Sequence, residues 1–361
     1  MPAQVLKVSP ERPEPALIAY AAELIRSGQL VAFPTETVYG LGANAFDETA
    51  VARIFTAKGR PSTDPVIVHC VTPLPEGVVD WSELSETARR SAQALMSAHM
   101  PGALTLVLPR GKRIPPIVTA GLPSVGVRVP AHPVAQALIT AAGVPIAAPS
   151  ANRFSHTSPT TAEHVHADLA EQIALILDSG ETDIGVESSI LDLCSTPPRL
   201  LRHGGVPLEA LRACLAAAGL PDTIEVVKRY ATQAEALPAP GMLLKHYAPR
   251  ATLTLYESDD DTLLRAALHA EARRLAVTKR VGLLIAAEDA PFLDNLPNTC
   301  VEVVGSLHDL VGVAHNLFAA LRNLDARKVA HILARSFPEV GIGAAIHDRL
   351  LRAAAGRVVR L

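Results

Sequence analysis

Apolar residues recur every three to four positions in some stretches of this chain and form short unbroken runs in others. Over residues 15–27, Leu17, Ile18, Ala21, Leu24 and Ile25 fall on one side of a helix, and Gly28 supplies a stop. An apolar run at 30–33 predicts a strand that delivers Pro34-Thr35-Glu36-Thr37 to its end. Asp47 stands where it can cap a helix running to Lys58. Further strands are predicted at 66–71, 103–108, 125–129, 144–148, 173–177 and 189–193, with helices at 85–100, 133–142 and 161–170. Apolar strands separated by amphipathic helices predict an α/β domain with a mostly buried sheet. Polar motifs recur just after the strands, where open sheets of this kind place ligands.

A second alternation begins at 252. Strands are predicted at 252–256, 281–286, 300–304 and 329–334, and helices at 262–277, at 309–324 and after Gly343. This pattern predicts a small Rossmann-like α/β domain. Its Gly341-Ile342-Gly343 lacks the third glycine of a dinucleotide fingerprint, so no cofactor is expected there. Between the two alternations lies a helix at 207–218, read as leading away from the first domain. After it comes a stretch of weak periodicity at 222–249 that carries Pro238, Pro240 and Gly241 and reads as a linker. The resulting division is 1–206, 207–250 and 251–361, in keeping with a length that calls for two domains.

Composition narrows the function classes. Hydrophobic residues make up 49% and charged residues 19%, which suits a substantial core and excludes general disorder. Lys and Arg number 33 against 36 Asp and Glu, a net charge of -3. A globally basic nucleic-acid binder is therefore excluded, and any anion site must be a local cluster of cations. Cys70, Cys194, Cys214 and Cys300 are far apart and form no CxxC pair, so neither a zinc module nor a redox dithiol is indicated. Residues 1–15 contain no apolar signal core, and no apolar run approaches membrane-spanning length; the expectation is a cytoplasmic protein without membrane association.

Two motifs carry candidate chemistry. Lys58-Gly59-Arg60-Pro61 sets two cations around a glycine at a helix end, where proline blocks continuation. Glycine permits close approach of an anion, lysine offers a point charge and arginine a planar fork. Pro149-Ser150-Ala151-Asn152 follows an apolar strand and precedes Ser155, Ser158, Thr160 and Thr161. These hydroxyls and amides either bind phosphate and sugar oxygens or form turns and cap the next helix.

In this order, the segments resemble the L-threonylcarbamoyladenylate synthases, whose catalytic part is the YrdC-like domain. The resemblance runs over 29–205 through PTETVYGLG, KGRP, the strand carrying His69, Gly126-Val127-Arg128-Val129-Pro130, PSAN and Glu187-Ser188-Ser189-Ile190. It resumes at Pro240-Gly241-Met242-Leu243-Leu244-Lys245-His246-Tyr247-Ala248-Pro249 and takes in a carboxy-terminal domain that marks the long form. It implies a YrdC-like twisted open sheet with helices, then a linker and a smaller Rossmann-like α/β domain. The implied reaction joins L-threonine, bicarbonate and ATP, with Mg2+ accompanying ATP, and releases pyrophosphate. The product serves N6-threonylcarbamoyladenosine formation in tRNA through a separate transferase. That pathway leaves room for a weak direct contact with tRNA.

By the same resemblance, Lys58 and Arg60 form the charged catalytic core near the ATP phosphates. Asp64, Ser124, Ser150, Asn152, Thr160, Arg202 and Tyr247 match ATP-binding positions. Thr37, His69, Arg128 and Ser189 match the L-threonine pocket. No residue is assigned as a metal ligand. The chain departs from the family pattern at Asp64, where Asn is frequent, and at Ser188-Ser189, where Ser-Thr is frequent; Ser188 is the alternative to Ser189. Arg128 suits a carboxylate, which arginine can grip with two parallel hydrogen bonds; alternatively it is the outward residue of a strand. His69 lines the pocket or is a structural histidine. Glu36 is a base for the amine or a surface carboxylate. Tyr39 packs under the PTET turn. His156, His164 and His166 read as solvated, since His164 and His166 do not share a helix face. Lys245-His246-Tyr247-Ala248-Pro249 is either a lid that excludes water or a plain connector.

Two other function classes compete. An RNA-binding module would line a basic concavity with Lys58, Arg60, Arg128 and Arg202, but 4% aromatic content offers no stacking platform. Carbamoyl transfer in hydrogenase maturation would bring zinc-type cysteine pairs, which this chain lacks.

Overall fold

The structure, a computed structural model, describes residues 2–71, 74, 76–227, 246–293 and 296–361. It divides into two compact units. Residues 228–245 of the expected linker, with Pro238, Pro240, Gly241 and Lys245, lie outside the described residues.

The first unit is built on an 11-stranded sheet. Its strands are β1 (Gln4–Lys7), β2 (Val31–Phe33), β3 (Gly40–Asn44), β4 (Val68–His69), β5 (Leu104–Pro109), β6 (Ser124–Arg128), β7 (Ile146–Ala147), β8 (Leu175–Asp178), β9 (Ser189–Asp192), β10 (Arg199–Arg202) and β11 (Glu225–Val226). Its helices are α1 (Pro15–Arg26), α2 (Glu48–Lys58), α3 (Glu86–His99), α4 (Pro133–Ala142), α5 (Ala162–Leu169) and α6 (Leu208–Ala217). The spatial order is β1-β8-β2-β3-β7-β4-β6-β5-β9-β10-β11. Pairing is mixed: β4 runs parallel to β6 and antiparallel to β7.

Alternation along the strands sends side chains to two cores. Val31 and Phe33 join α1 and α4 in one cluster, whereas Ala32 joins the cluster of α2, α3, α5 and α6. The sheet is thus covered by helices on both faces. Local signals set the helix ends. The Asp47 carboxylate accepts from the amides of Thr49 and Ala50 at 2.9 and 3.2 Å, and Gly59 closes α2 at φ 63°. Ser85 and Thr161 cap α3 and α5.

Four strands escaped the apolar pattern: β1, β3, β10 and β11. β3 is Gly-Leu-Gly-Ala-Asn, which has no β-branched residue, yet it completes a hairpin with Val31 opposite Gly42. A Cβ on Gly42 would lie 2.8 Å from both Ile146 and Phe33, so close strand packing selects glycine there. The run at 66–71 pairs only through Val68 and His69. Helix α6 does not lead away from the unit. It lies against α3 with Leu211 and Leu215 in the core, so the compact unit continues past Val206.

The second unit contains β12 (Thr252–Glu257), α7 (Asp261–Ala276), β13 (Val281–Ile285), α8 (Ala290–Leu293), β14 (Thr299–Val303), α9 (Leu310–Ala326), β15 (His331–Arg335), α10 (Gly343–Ala353) and β16 (Val358–Arg360). All strand pairs are parallel, in the order β14-β13-β15-β12-β16. The α/β pattern is Rossmann-like, but β15 sits between β13 and β12, unlike the dinucleotide-binding order. The last strand, β16, was not legible as one. A crevice of about 670 Å3 opens at the carboxyl ends of β12 and β15, lined in part by Ser258, Asp259, Ser336 and Phe337. Among the described residues, no helix is long and apolar enough to cross a membrane.

Candidate active site

The turn between β2 and β3 organises the first group of candidate residues. Thr35 Oγ1 donates to Val38 O at 2.6 Å and accepts from the Thr37 amide at 3.2 Å. Its proton is thereby committed, so at 2.8 Å the Thr37 hydroxyl donates to Thr35 Oγ1. Thr37 Oγ1 in turn accepts from Arg128 Nη1 at 2.8 Å.

Arg128 ends β6 and alternates with core-facing Val127 and Val129. Its Nη2 donates to Glu36 Oε1 at 2.6 Å and its Nε to Gly102 O at 3.2 Å. Glu36 Oε2 accepts from the Ala131 amide at 3.0 Å. Glu36 is therefore buried in an ion pair, which rules out the surface carboxylate weighed from sequence. Burial alone would raise its pKa. The charge and hydrogen bond of Arg128, with the Ala131 amide, outweigh that and hold it below its ordinary value. A carboxyl held this way is a weak base.

His69 stands directly opposite Arg128 in the β4–β6 register. Its ring is buried, and Nδ1 has no hydrogen-bond partner among the described residues. Burial first, and the Arg128 charge second, push its pKa down to about 3, so the imidazole is neutral. Tyr39 is a strut under the turn: its hydroxyl donates to Gly180 O at 2.7 Å.

The second group surrounds the end of α2. Lys58 is buried, and Nζ donates to Ser150 O and Asn152 O, both at 2.5 Å. The Phe154 amide donates to Lys58 O at 2.9 Å. The KGRP and PSAN motifs are thus tied together, and a bridge between Gly40 and Ser150 sets PSAN beside β3. Arg60 turns inward. It pairs with Asp64 Oδ1 at 2.9 Å and donates to the Asp64 and Pro65 carbonyls, with side chains 3% and 0% exposed. Asp64, expected to hold the nucleotide, here braces Arg60. Asn152 Nδ2 donates to Arg153 O, and the amide and hydroxyl of Thr160 lie 3.3 and 3.4 Å from His164 Nδ1.

The third group lies along β9 and β10. Arg202 donates through Nε to Ser188 O at 3.1 Å and through Nη2 to Ser188 Oγ at 3.2 Å. Ser188 Oγ also lies 2.8 Å from Thr105 Oγ1. Ser189 Oγ instead donates to Val206 O and accepts from its amide. Thr105, inside the apolar strand β5, has no sequence signal beyond a hydroxyl at a buried position. Ser158 Oγ donates to Glu187 Oε1 at 2.5 Å, a second pairing not legible from spacing.

Not every candidate converges. Ser124 opens β6 while Arg128 closes it, about 13 Å apart along an extended strand. Tyr247 belongs to the second unit, with φ 59° and a buried ring 5.6 Å from Phe318 and under the Arg349 guanidinium at 4.9 Å. Among the described residues, no group of three or more acidic, histidine or cysteine side chains could hold a metal. The cations Lys58, Arg60, Arg128 and Arg202 stand here among hydroxyls and amides that suit phosphate and carboxylate, and the carboxylates of Glu36 and Asp64 are held by Arg128 and Arg60.

An open α/β sheet with buried cations at motif-bearing strand and helix ends defines a YrdC-like protein, and comparison agrees. A family model described as telomere recombination, covering Sua5, YciO and YrdC proteins, matches residues 23–204. A second, described as threonylcarbamoyl-AMP synthase, C-terminal domain, matches 206–355. The two matches meet at residues 204–206, whereas the first compact unit extends further. Threonylcarbamoyl-AMP synthase of Bacillus subtilis is 44% identical over 95% of this chain and 94% of that one. The Pyrococcus abyssi enzyme of the same name is 41% identical over 97% and 98%. The crystal structure of P. abyssi Sua5 complexed with L-threonine superposes with a TM-score of 0.89 at 40% identity, covering 99% and 100%. The chain belongs to the threonylcarbamoyl-AMP synthase family.

Proposed function

We propose that this protein is an ATP-dependent L-threonylcarbamoyladenylate synthase, a nucleotidyltransferase. Bicarbonate carboxylates the threonine amine with loss of water. A carbamate oxygen then attacks the α-phosphorus of ATP and pyrophosphate leaves. The product supplies N6-threonylcarbamoyladenosine synthesis in tRNA through a separate transferase, and the protein works in the cytoplasm. Magnesium enters as part of the ATP substrate, on the phosphates.

Membership of this family, together with the state of Arg128, carries the reading. The guanidinium has five N–H groups. Thr37, Glu36 and Gly102 take one each among the described residues, leaving one on each terminal nitrogen. Two such groups suit the threonine carboxylate. Neutral His69, with Nδ1 open, and the hydroxyls of Thr37 and Ser189 line the rest of the amino-acid pocket. Carbamate and triphosphate are both anionic, so their approach needs fixed positive charge. Lys58 and Arg60 supply it at the KGRP–PSAN junction, where Ser150, Asn152 and Thr160 contact the nucleotide. Asp64 holds Arg60 in place, and Ser124 and Arg202 of the same unit complete the nucleotide contacts. No covalent nucleophile is needed, because positioning and charge neutralisation suffice for phosphoryl chemistry.

The test is pyrophosphate release from the full chain with ATP and Mg2+, omitting L-threonine and bicarbonate in turn. Release that requires both is expected. Release indifferent to threonine would refute the assignment.

A further inference from the structure

The Arg128–Glu36 pair lies 4% and 8% exposed, and its two charges cancel. An uncompensated guanidinium at this depth would draw in any small anion. A cancelled pair does not. Moving a net charge into such a place costs desolvation that nothing there repays. A ligand carrying both signs escapes this cost if each charge meets its complement.

The geometry provides both complements. Arg128 keeps one N–H on each terminal nitrogen, the number a carboxylate takes. The Glu36 carboxylate accepts from Arg128 Nη2, from the Ala131 amide and from its own backbone amide. A carboxylate offers about four such sites. Acceptor capacity therefore remains beside the arginine for a positively charged group. Neutral His69, opposite Arg128, adds no charge to the balance.

We infer that Glu36 is a specificity-determining residue that makes this pocket take a zwitterionic α-amino acid and reject small carboxylates without an ammonium group. The inference rests on the threonine reading of the pocket. It adds why the Arg128 guanidinium selects threonine over carboxylates that lack an ammonium group.

Calorimetric titration of the full chain with L-threonine, L-threonine methyl ester and 3-hydroxybutanoate tests it. The ester keeps the ammonium and loses the carboxylate charge; 3-hydroxybutanoate is threonine without its amine. The native chain should bind threonine and neither analogue comparably. Glu36→Gln removes the charge and keeps the shape. It should weaken threonine by about tenfold or more and tighten 3-hydroxybutanoate, narrowing or inverting the preference. A gain for the deaminated ligand is something a merely structural glutamate would not produce. Glu36→Asp should retain the native order.

Loss of both ligands in equal proportion in a folded Glu36→Gln chain would overturn the inference. So would equal binding of threonine and 3-hydroxybutanoate by the native chain, which decides the matter even if the variant does not fold. Pyrophosphate release separates the two readings. If the native chain shows threonine-dependent release but no charge-based preference, only the role of Glu36 falls. If it neither binds threonine nor releases pyrophosphate, the functional reading falls as well.

Discussion

His69 and Arg128 are paired residue to residue across β4 and β6, and the charge of the arginine helps keep the imidazole neutral. This predicts a particular acid sensitivity. An unfolded histidine titrates near pH 6.5, whereas folded His69 does so at about 3. Between these values the unfolded chain binds the extra proton, so stability is complete above about pH 6.5 and falls as pH drops toward 3. The slope from this one group is at most about 1.4 kcal/mol per pH unit. Urea unfolding between pH 4.5 and 7.5 should show a shallower pH dependence in His69→Gln than in the native chain. Identical slopes would mean that His69 is not held neutral by its surroundings.

Arg128→Lys and Arg128→Ala should separate binding from folding. Lysine cannot span Glu36, Thr37 and a ligand carboxylate at once. The KM for threonine should rise by roughly tenfold or more in Arg128→Lys, with the KM for ATP little changed. Arg128→Ala removes the ion-pair partner that buried Glu36 has among the described residues and should cost about 3–5 kcal/mol of stability. Steady-state kinetics and denaturant melts distinguish the two effects.

Arg60 and Asp64 form a buried ion pair at 2.9 Å, four positions apart in the chain. Arg60→Ala should therefore destabilise the fold by about 3 kcal/mol as well as abolish most activity. Adding Asp64→Ala should restore part of the stability and none of the activity, because the Arg60 guanidinium stays absent. A double-mutant cycle with no coupling energy would contradict this.

Lys58→Ala should act mainly on the reaction. Loss of one fixed charge facing a developing anion typically lowers turnover by about 100-fold or more. Threonine binding, assigned to the Arg128 group, should survive. Pyrophosphate release and threonine calorimetry on the same preparation would check the separation.

Gly42→Ala places a methyl 2.8 Å from the side chains of Phe33 and Ile146, between β2 and β7. Overpacking of this kind costs about 1–3 kcal/mol. Adding Ile146→Val should recover part of the loss if the clash is the cause, as read by thermal melting of single and double variants.

What the sequence by itself determined was local. The apolar period placed α4 residue for residue at Pro133–Ala142, and Asp47, Ser85 and Thr161 marked helix starts through side chains that cap amides two or three positions on. The order of its motifs also carries the likeness to the family. Strand β3 escaped because glycine and alanine carry no strand signal, and only β2 and β7 on either side make that segment extended. The tertiary structure alone decided the partners. Glu36 and Arg128 lie 92 positions apart, and Lys58 reaches Asn152 across 94. Ser188 and Ser189 are chemically equal neighbours, yet one hydroxyl meets Thr105 and Arg202 while the other meets the Val206 backbone. Such choices follow from sheet register, which sets the face and the opposite residue for each side chain. Register is a property of pairing between distant segments, not of the segment itself.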